Sequence, residues 1–308
     1  MGLHSSSGRW RLGLALSLVT AFLWGILPIA LEITLQGLDV YTVTWFRFSI
    51  AFGILGLYLA ARQQLPPRAK LRVTSWKLLA VATVFLAINY LFYLQGLAQT
   101  SPANAQVLIQ LAPVLMGVGA IVIFKERYTL QQWVGVGVLS TGFVLFFHEQ
   151  LKMAIANAST YLLGNLILVI AAATWAVYAL AQKQLLQQLP SSNIMLLIYG
   201  VCSGLFAPLA SPHLLGNLTP LQGATLLFCA LNTVVAYGAF AEALEHWDAS
   251  RVSAILATTP IVTLVGVTLM GQFLPRLIEA EHLTYGAIVG ALLVVFGSMS
   301  IALGRKGV

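Results

Sequence analysis

The chain has 308 residues, of which 59% are hydrophobic and only 8% are charged, and its mean hydropathy is +0.89. A soluble domain carries roughly 25% charged residues, so this composition excludes an ordinary water-soluble protein and indicates a membrane protein. The formal net charge of +7 does not indicate nucleic-acid binding, because the basic residues lie in short loops and form no stripe with interleaved aromatic residues. We therefore expect a lipid bilayer, and no nucleic acid, as partner.

Ten apolar runs follow one another along the chain, each near the length of about 20 residues that a helix needs to cross a hydrocarbon core. They do not alternate apolar and polar residues, so they predict helices and not barrel strands. The sequence thus predicts an all-α integral membrane protein with ten transmembrane helices. The predicted spans are 12–34, 41–62, 75–97, 103–124, 130–147, 161–182, 193–210, 221–244, 250–271 and 284–303.

The distribution of Lys and Arg predicts the orientation. Of the 16 basic residues, 13 fall on one side of this topology, Lys152 and Arg276 fall on the other, and Arg47 lies inside a span. The positive-inside rule then places both termini in the cytoplasm. The first run follows basic residues like a signal peptide, but it is too long and has no small-x-small cleavage site, so we predict a retained helix in the inner or plasma membrane.

Residues of the first half recur in the same order in the second half. Because each half has five spans, an odd number, the second half must enter the membrane from the opposite side, which predicts two inverted five-helix repeats, 12–147 and 160–304. The matched pairs are Thr129 with Thr284, Gly135 with Gly290 and Gly142 with Gly297, at a shift of 155, and Leu97 with Leu244 and Pro113 with Pro260, at a shift of 147.

Two charged residues lie inside the predicted spans. Arg47 lies roughly 9 Å deep in the second span, at about 1.5 Å per residue, and Glu32 lies near the outer end of the first. A charge at mid-bilayer costs roughly 2.5–3.5 kcal/mol, so such residues are expected to be functional or paired. We predict a gate or a charge site for a zwitterionic substrate; a structural ion pair, or contact of Glu32 with headgroups, is the alternative.

Polar and aromatic residues at helical spacing predict the lining of a central cavity. Amides cannot face lipid without cost, so their helix faces should point inward. Hydrogen bonds between helices, without any ligand, and aromatic packing are the alternatives that remain open. The predicted cavity residues are Trp24, Asn89, Tyr93, Gln106, Gln110, Trp175, Tyr178, Asn232 and Tyr237.

Proline residues inside the runs predict helix bends. Proline has no backbone N–H, so it removes one helical hydrogen bond and frees a carbonyl group. Pro28 lies in the first span, while Pro113 and Pro260 occupy equivalent places in the two halves. Matched bends suit a rocking motion, and they also suit a static shape.

Enzyme and metal signatures are absent from the sequence, so we predict a protein without catalytic activity or cofactor. Glu242 and His246, four residues apart, form the one pair that fits an intramembrane enzyme, and they lack a third partner. Cys202 and Cys229 lie in apolar runs and are interpreted as packing residues.

An ordered set of residues across both halves resembles the drug/metabolite transporter superfamily, EamA type. No single motif in the set is strongly specific for this family, but the order of the motifs across the two halves is. The set comprises Trp24-Gly25 with Pro28, Arg47, Tyr93-x-x-Gly96-Leu97, Ser101-Pro102-Ala103-Asn104-Ala105, Pro113, Lys125-Glu126-Arg127 with Thr129, Gly135 and Gly142, and then Trp175, Leu244, Pro260, Thr284, Gly290 and Gly297.

This resemblance implies ten helices, cytoplasmic termini, a central substrate cavity and alternating access. It also implies export of amino acids or related small metabolites, whereas relatives carry sugar phosphates or nucleotide sugars. The chain departs from the family pattern at Glu32, where a basic residue is common, and at Gly271-Gln272, where Gly-Glu is common. A drug carrier, a non-transport scaffold, coupling to protons, and a monomer or a homodimer all remain open.

Overall fold

The computed structural model describes residues 9–67, 71, 74–112, 115, 119, 129–154, 158–247, 252, 255–273 and 284–303. Its described residues confirm the predicted all-α class, since none of them belongs to a strand. Two short 3₁₀ segments, Ala207–Leu209 and Pro212–Asn217, lie between the helix that ends at Phe206 and the helix that begins at Pro220. The α-helices are α1 Trp10–Leu35, α2 Val40–Ala61, α3 Trp76–Gln99, α4 Pro102–Leu108, α5 Leu130–Ala154, α6 Ala158–Leu185, α7 Ser191–Phe206, α8 Pro220–His246, α9 Thr259–Phe273 and α10 Tyr285–Leu303.

The length and hydropathy of these helices confirm a multi-span membrane protein. Within the described residues, six helical segments are long and apolar enough to cross a bilayer, and three shorter helices are also apolar. Large apolar side chains stay exposed on the outside of the bundle, among them Leu57 at 75% and Leu130 at 82%. Such a surface suits hydrocarbon and not water.

Polar residues in the connecting segments set where several helices begin. The Asp39 carboxylate accepts hydrogen bonds from the backbone N–H groups of Tyr41 and Thr42, both at 2.9 Å, and starts α2. Thr219 and Gln222 form a reciprocal capping box at the start of α8. These side chains satisfy backbone donors that the first helical turn leaves without partners.

The helices pair about an approximate two-fold axis. Three pairs join equivalent helices of the two halves: α5 with α10, α2 with α7, and α4 with α9. Two of the other extensive pairs, α3 with α6 and α8 with α1, are equivalent to each other, because the symmetry that exchanges the two halves maps one pair onto the other. The contact pattern of the structure is therefore that of two repeats packed face to face.

Contacts along α5 and α10 show that equivalent helices run antiparallel. Gly135 meets Gly297, and Gly142, seven residues later, meets Gly290, seven residues earlier. The same order holds for α2 and α7, where Phe52 packs on Gly200 and the preceding Ser49 pairs with the later Ser203 at 2.7 Å. Because equivalent helices cross the membrane in opposite directions, the repeats are inverted.

The α5–α10 crossing brings backbone against backbone. A Cβ atom at Gly142 would lie 2.6 Å from the backbone nitrogen of Val294 and 2.7 Å from the carbonyl oxygen of Gly290. Glycine is required here for the close approach. Small residues let membrane helices pack by dispersion, which replaces the hydrophobic effect that lipid does not supply.

Candidate functional site

The predicted fourth and ninth spans are both interrupted at equivalent residues. α4 ends at Leu108 and a turn follows at 109–110; in the other half a turn at 257–258 precedes α9. Pro260 lies in the first turn of α9 and has no N–H for the carbonyl of Leu256, which instead accepts a hydrogen bond from the Thr259 hydroxyl. The predicted bend at Pro260 therefore takes the form of a break just before it; Pro113 lies outside the described residues.

The two breaks contact each other through a glutamine. The side-chain nitrogen of Gln110 donates to the carbonyl oxygen of Ala257 at 3.2 Å. Gln110 and Ala257 differ by 147 residues, which is the shift that relates these helices in the repeat, so the hydrogen bond lies at the two-fold axis. Gln110 is buried, and its amide satisfies a carbonyl group at the break.

Arg47 lies in α2 and is almost fully buried, with 3% of its surface exposed. Its guanidinium stacks over the ring of Tyr90 at 4.7 Å, and its Nε donates to Thr233 Oγ1 at 3.2 Å. Within the described part of the chain, no carboxylate oxygen lies within 4.0 Å of this cation. The cation–π contact offsets part of the cost of burial, on the order of 1–2 kcal/mol, but it does not neutralise the charge.

Aromatic residues from α2, α3, α7 and α8 surround this cation. Phe48 packs on the rings of Tyr90 and Tyr199 at 4.5 Å and 5.9 Å. The Tyr199 hydroxyl donates to the carbonyl of Thr233 at 3.4 Å, and the Tyr90 hydroxyl lies within hydrogen-bonding reach of Tyr237. The ring faces and hydroxyl oxygens stabilise this positive charge without neutralising it, so the guanidinium still attracts an anion.

Glu32, the second predicted charge-site residue, is half-buried near the end of α1. No Glu32 oxygen lies within salt-bridge distance of Arg47. Glu32 and Arg47 therefore form no ion pair with each other in this structure, and the gate or charge site predicted for them stays a prediction.

The two asparagines predicted to line the cavity, Asn89 and Asn232, each join one of the two helix pairs that are equivalent under the symmetry, α3 with α6 and α8 with α1. Asn89 of α3 donates to the carbonyl of Ala171 in α6 at 2.8 Å. Asn232 of α8 donates to the carbonyl of Leu23 in α1 at 2.7 Å. Both amides form hydrogen bonds between helices, and the Oδ1 of Asn232 has no hydrogen-bond partner among the described residues.

The Tyr93 hydroxyl donates to Gln106 Oε1 at 3.3 Å, which links α3 to α4. Gln106 is also buried, so this pair lies inside the bundle. This hydrogen bond brings together two of the predicted cavity residues, which lie on consecutive helices.

The remaining predicted aromatic residues fall into two groups. Trp24 of α1 packs on Tyr237 of α8 with ring centroids 5.2 Å apart. Trp175 and Tyr178 are neighbours on α6, 6.3 Å apart, and the Tyr178 hydroxyl contacts the Met195 sulfur at 3.3 Å.

Pro28 is buried inside α1, which continues through it from Trp10 to Leu35. Close to Pro28, the carbonyl of Gly25 accepts a hydrogen bond of 2.7 Å from the Thr263 hydroxyl, which joins α1 to α9 at this level.

Sequence reasoning missed Tyr90, Tyr199, Thr233 and Thr263. Threonine and tyrosine are common in apolar helices, and nothing in their local pattern distinguishes those that contact a charge. The available signal was position: Tyr90 adjoins Asn89, and Thr233 adjoins Asn232, so each shares a helix segment with a predicted cavity residue.

Glu242 and His246 do meet at the end of α8, with 3.6 Å between Oε1 and Nε2. The Glu242 side chain is 61% exposed, as expected for a solvated helix end. No group of three potential metal ligands occurs among the described residues.

Comparison with known proteins places this arrangement in a family. The model of the EamA-like transporter family matches residues 11–148 and 162–303. An uncharacterized inner membrane transporter of Escherichia coli (strain K12), YhbE, is 39% identical over 296 residues, which cover 96% of this chain and 92% of that protein. An uncharacterized transporter of Haemophilus influenzae is 35% identical over 295 residues, with 96% of each chain covered.

A solved structure shares the fold. This crystal structure of a protein has a TM-score of 0.65 to the chain at 17% sequence identity, and the match covers 96% of this chain and 98% of the other. At that identity the likeness concerns the fold alone.

Proposed function

The chain belongs to the EamA-like transporter family, and we propose that it is a secondary transporter that exports amino acids or related small polar metabolites by alternating access. That it is a multi-pass membrane transporter follows from the family and from its relatives. The mechanism, the direction and the substrate class are the proposal.

The observation that carries the mechanism is the contact between the two interrupted helices. Gln110 and Ala257 occupy equivalent places in inverted repeats and meet at the axis. In inverted-repeat transporters, exchange of the two repeat conformations converts an outward-open shape into an inward-open one, around a site near mid-depth. Breaks in α4 and α9 supply backbone that can bend without loss of further helical hydrogen bonds.

The packing of the centre supports an occluded state. Gln106, Gln110 and Asn232 are all less than 10% exposed, at 7%, 8% and 2%. A substrate then reaches these side chains only after helix pairs separate on one side. The α5–α10 crossing, held backbone to backbone, is suited to the stationary part of such a motion.

The excess of basic residues on one face supports cytoplasmic termini in an inner or plasma membrane. Arg9 and Arg11 precede or begin α1, and Arg62 and Lys77 flank the connection between α2 and α3 on that same predicted face. We propose no nucleic-acid partner and no cofactor.

Counterflow in proteoliposomes tests the proposal. Purified protein is reconstituted with a panel of unlabelled amino acids, sugar phosphates, nucleotides and drugs inside, and uptake of the labelled compound is measured with and without a pH gradient. We expect counterflow for at least one amino acid or related metabolite. If only a different class of compound is transported, that class replaces amino acids as the proposed substrate. If no compound is transported, a non-transport membrane protein is favoured.

Gln110→Leu tests the role of the central contact, with the exposed Gln187→Leu as matched control. Loss of the amide leaves the Ala257 carbonyl without its donor, so we expect an altered KM for the transported compound with unchanged expression. Gln187→Leu should behave like wild type. Identical kinetics for both variants would remove Gln110 from the transport site.

A further inference from the structure

Arg47 is the one basic side chain that the described structure places away from the ends of the helices. A guanidinium has five N–H donors in a planar fork. One of them, on Nε, is used by Thr233, and the ring face is covered by Tyr90. The edge formed by the two Nη groups donates to no acceptor among the described residues.

On the premise of the transporter function proposed above, we infer that Arg47 binds the carboxylate of the substrate and that the transported class carries a single carboxylate. The two Nη groups match the two oxygens of a carboxylate in a bidentate pair. The Nε bond to Thr233 and the Tyr90 ring fix the plane of the fork, so the cation is oriented before the anion arrives. A preorganised cation loses little conformational freedom on binding.

The single charge distinguishes a monocarboxylate from a phosphate ester. A phosphate ester carries close to two negative charges near neutral pH, and its burial needs compensation for both. The described centre supplies one cation, and the hydroxyl groups of Tyr199 and Thr233 near it are neutral and donate to backbone carbonyl groups. The guanidinium neutralises the single carboxylate, so this ion pair carries no net charge, and the ammonium group of an amino acid is a separate cation that needs its own oxygen acceptors.

A purely structural Arg47 is the competing explanation, since its two contacts also join α2 to α3 and α8. The two explanations differ in substrate preference. If Arg47 binds a carboxylate, compounds that differ only at this group are discriminated, and the discrimination depends on Arg47. If Arg47 only holds helices, its replacement changes stability without changing the preference.

The experiment compares carboxylates with their amides. Leucine with leucinamide, phenylalanine with phenylalaninamide, and glucose 6-phosphate serve as probes. Counterflow in proteoliposomes measures transport, and the ligand-induced shift of the thermal unfolding midpoint in detergent measures binding without transport. We expect wild type to prefer at least one acid over its amide by roughly 10- to 100-fold, the range for a hydrogen-bonded charge, and not to bind the phosphate ester.

Variants of Arg47 connect that preference to the residue. Arg47→Gln should abolish the preference for the acid, and Arg47→Lys should retain part of it because the charge remains. Arg62→Gln is the matched control: Arg62 follows the same helix and stacks on Tyr58 at 5.8 Å, but it is exposed. It should keep the wild-type preference.

The outcomes separate this inference from the proposed function. Equal binding of acid and amide by wild type overturns the carboxylate site, whether or not the variants fold, and leaves transport standing if flux is seen. An unchanged preference in Arg47→Gln overturns it as well. Acid-selective binding that depends on Arg47, without flux, supports the site and overturns the transporter function.

Discussion

Replacement of Gly142 by alanine should destabilise the protein by forcing apart the backbones of α5 and α10. The new Cβ would lie 2.6 Å from the backbone nitrogen of Val294 and 2.7 Å from the carbonyl oxygen of Gly290. Ordinary van der Waals contact begins at 3.4 Å, so the helices must separate by close to 1 Å at this level. Neither neighbour is a flexible side chain that can move aside.

Overpacking of this kind costs roughly 1–3 kcal/mol. An unfolding entropy of roughly 2.1 cal/mol/K per residue gives about 0.65 kcal/mol per °C for 308 residues, so a drop of about 2–5 °C is expected. Gly137→Ala is the matched control on the same helix, because a Cβ there meets nothing within 4 Å. It should leave the midpoint unchanged or raise it slightly, since alanine favours helix over glycine by about 1 kcal/mol.

The two cysteines supply the assay. Cys202 and Cys229 are free and buried, so a thiol-reactive fluorescent dye reports their exposure on heating in detergent. The expected order of midpoints is Gly142→Ala below wild type, with Gly137→Ala at or above it. Equal midpoints for Gly142→Ala and wild type would mean that α5 and α10 do not cross as described.

Four further substitutions test other contacts. Asn89→Leu and Asn232→Leu should each lower stability by about 0.6–1.7 kcal/mol, the range for hydrogen bonds between membrane helices, and a dye-measured midpoint equal to wild type would contradict it. Thr263→Val, which removes the bond to the Gly25 carbonyl at nearly constant volume, should cost a similar amount in the same assay. Glu242→Gln, at an exposed position, should leave counterflow unchanged, and a loss of flux would point to proton transfer at that end of α8.

The agreement between sequence and structure is greatest for properties that each helix carries alone. Apolar runs such as the one that became α1 are read directly from hydropathy, because a helix satisfies its own backbone hydrogen bonds in lipid. The glycines at 135, 142, 290 and 297 were recognised as a repeat from sequence, and their spacing of seven is what brings them onto one face.

The agreement is least for the site. The cost of placing Arg47 or Asn232 in lipid predicted that both would point inward, and both are buried. That cost does not specify the partner: Arg47 meets Tyr90 and Thr233 and not Glu32, and Asn232 meets the carbonyl of Leu23. The cavity lining therefore remains a prediction for the transport experiments.

Three features of this protein can be derived from its sequence alone: the all-α membrane class, the inward position of the polar residues and the equivalence of the two halves. These follow from local hydropathy and from spacing along one chain. The contacts of Gln110 with Ala257 and of Thr233 with Arg47 become visible only when the helices are packed together. Such contacts join residues 147 and 186 positions apart, and they depend on how helices pack across the two repeats, which local hydropathy does not encode.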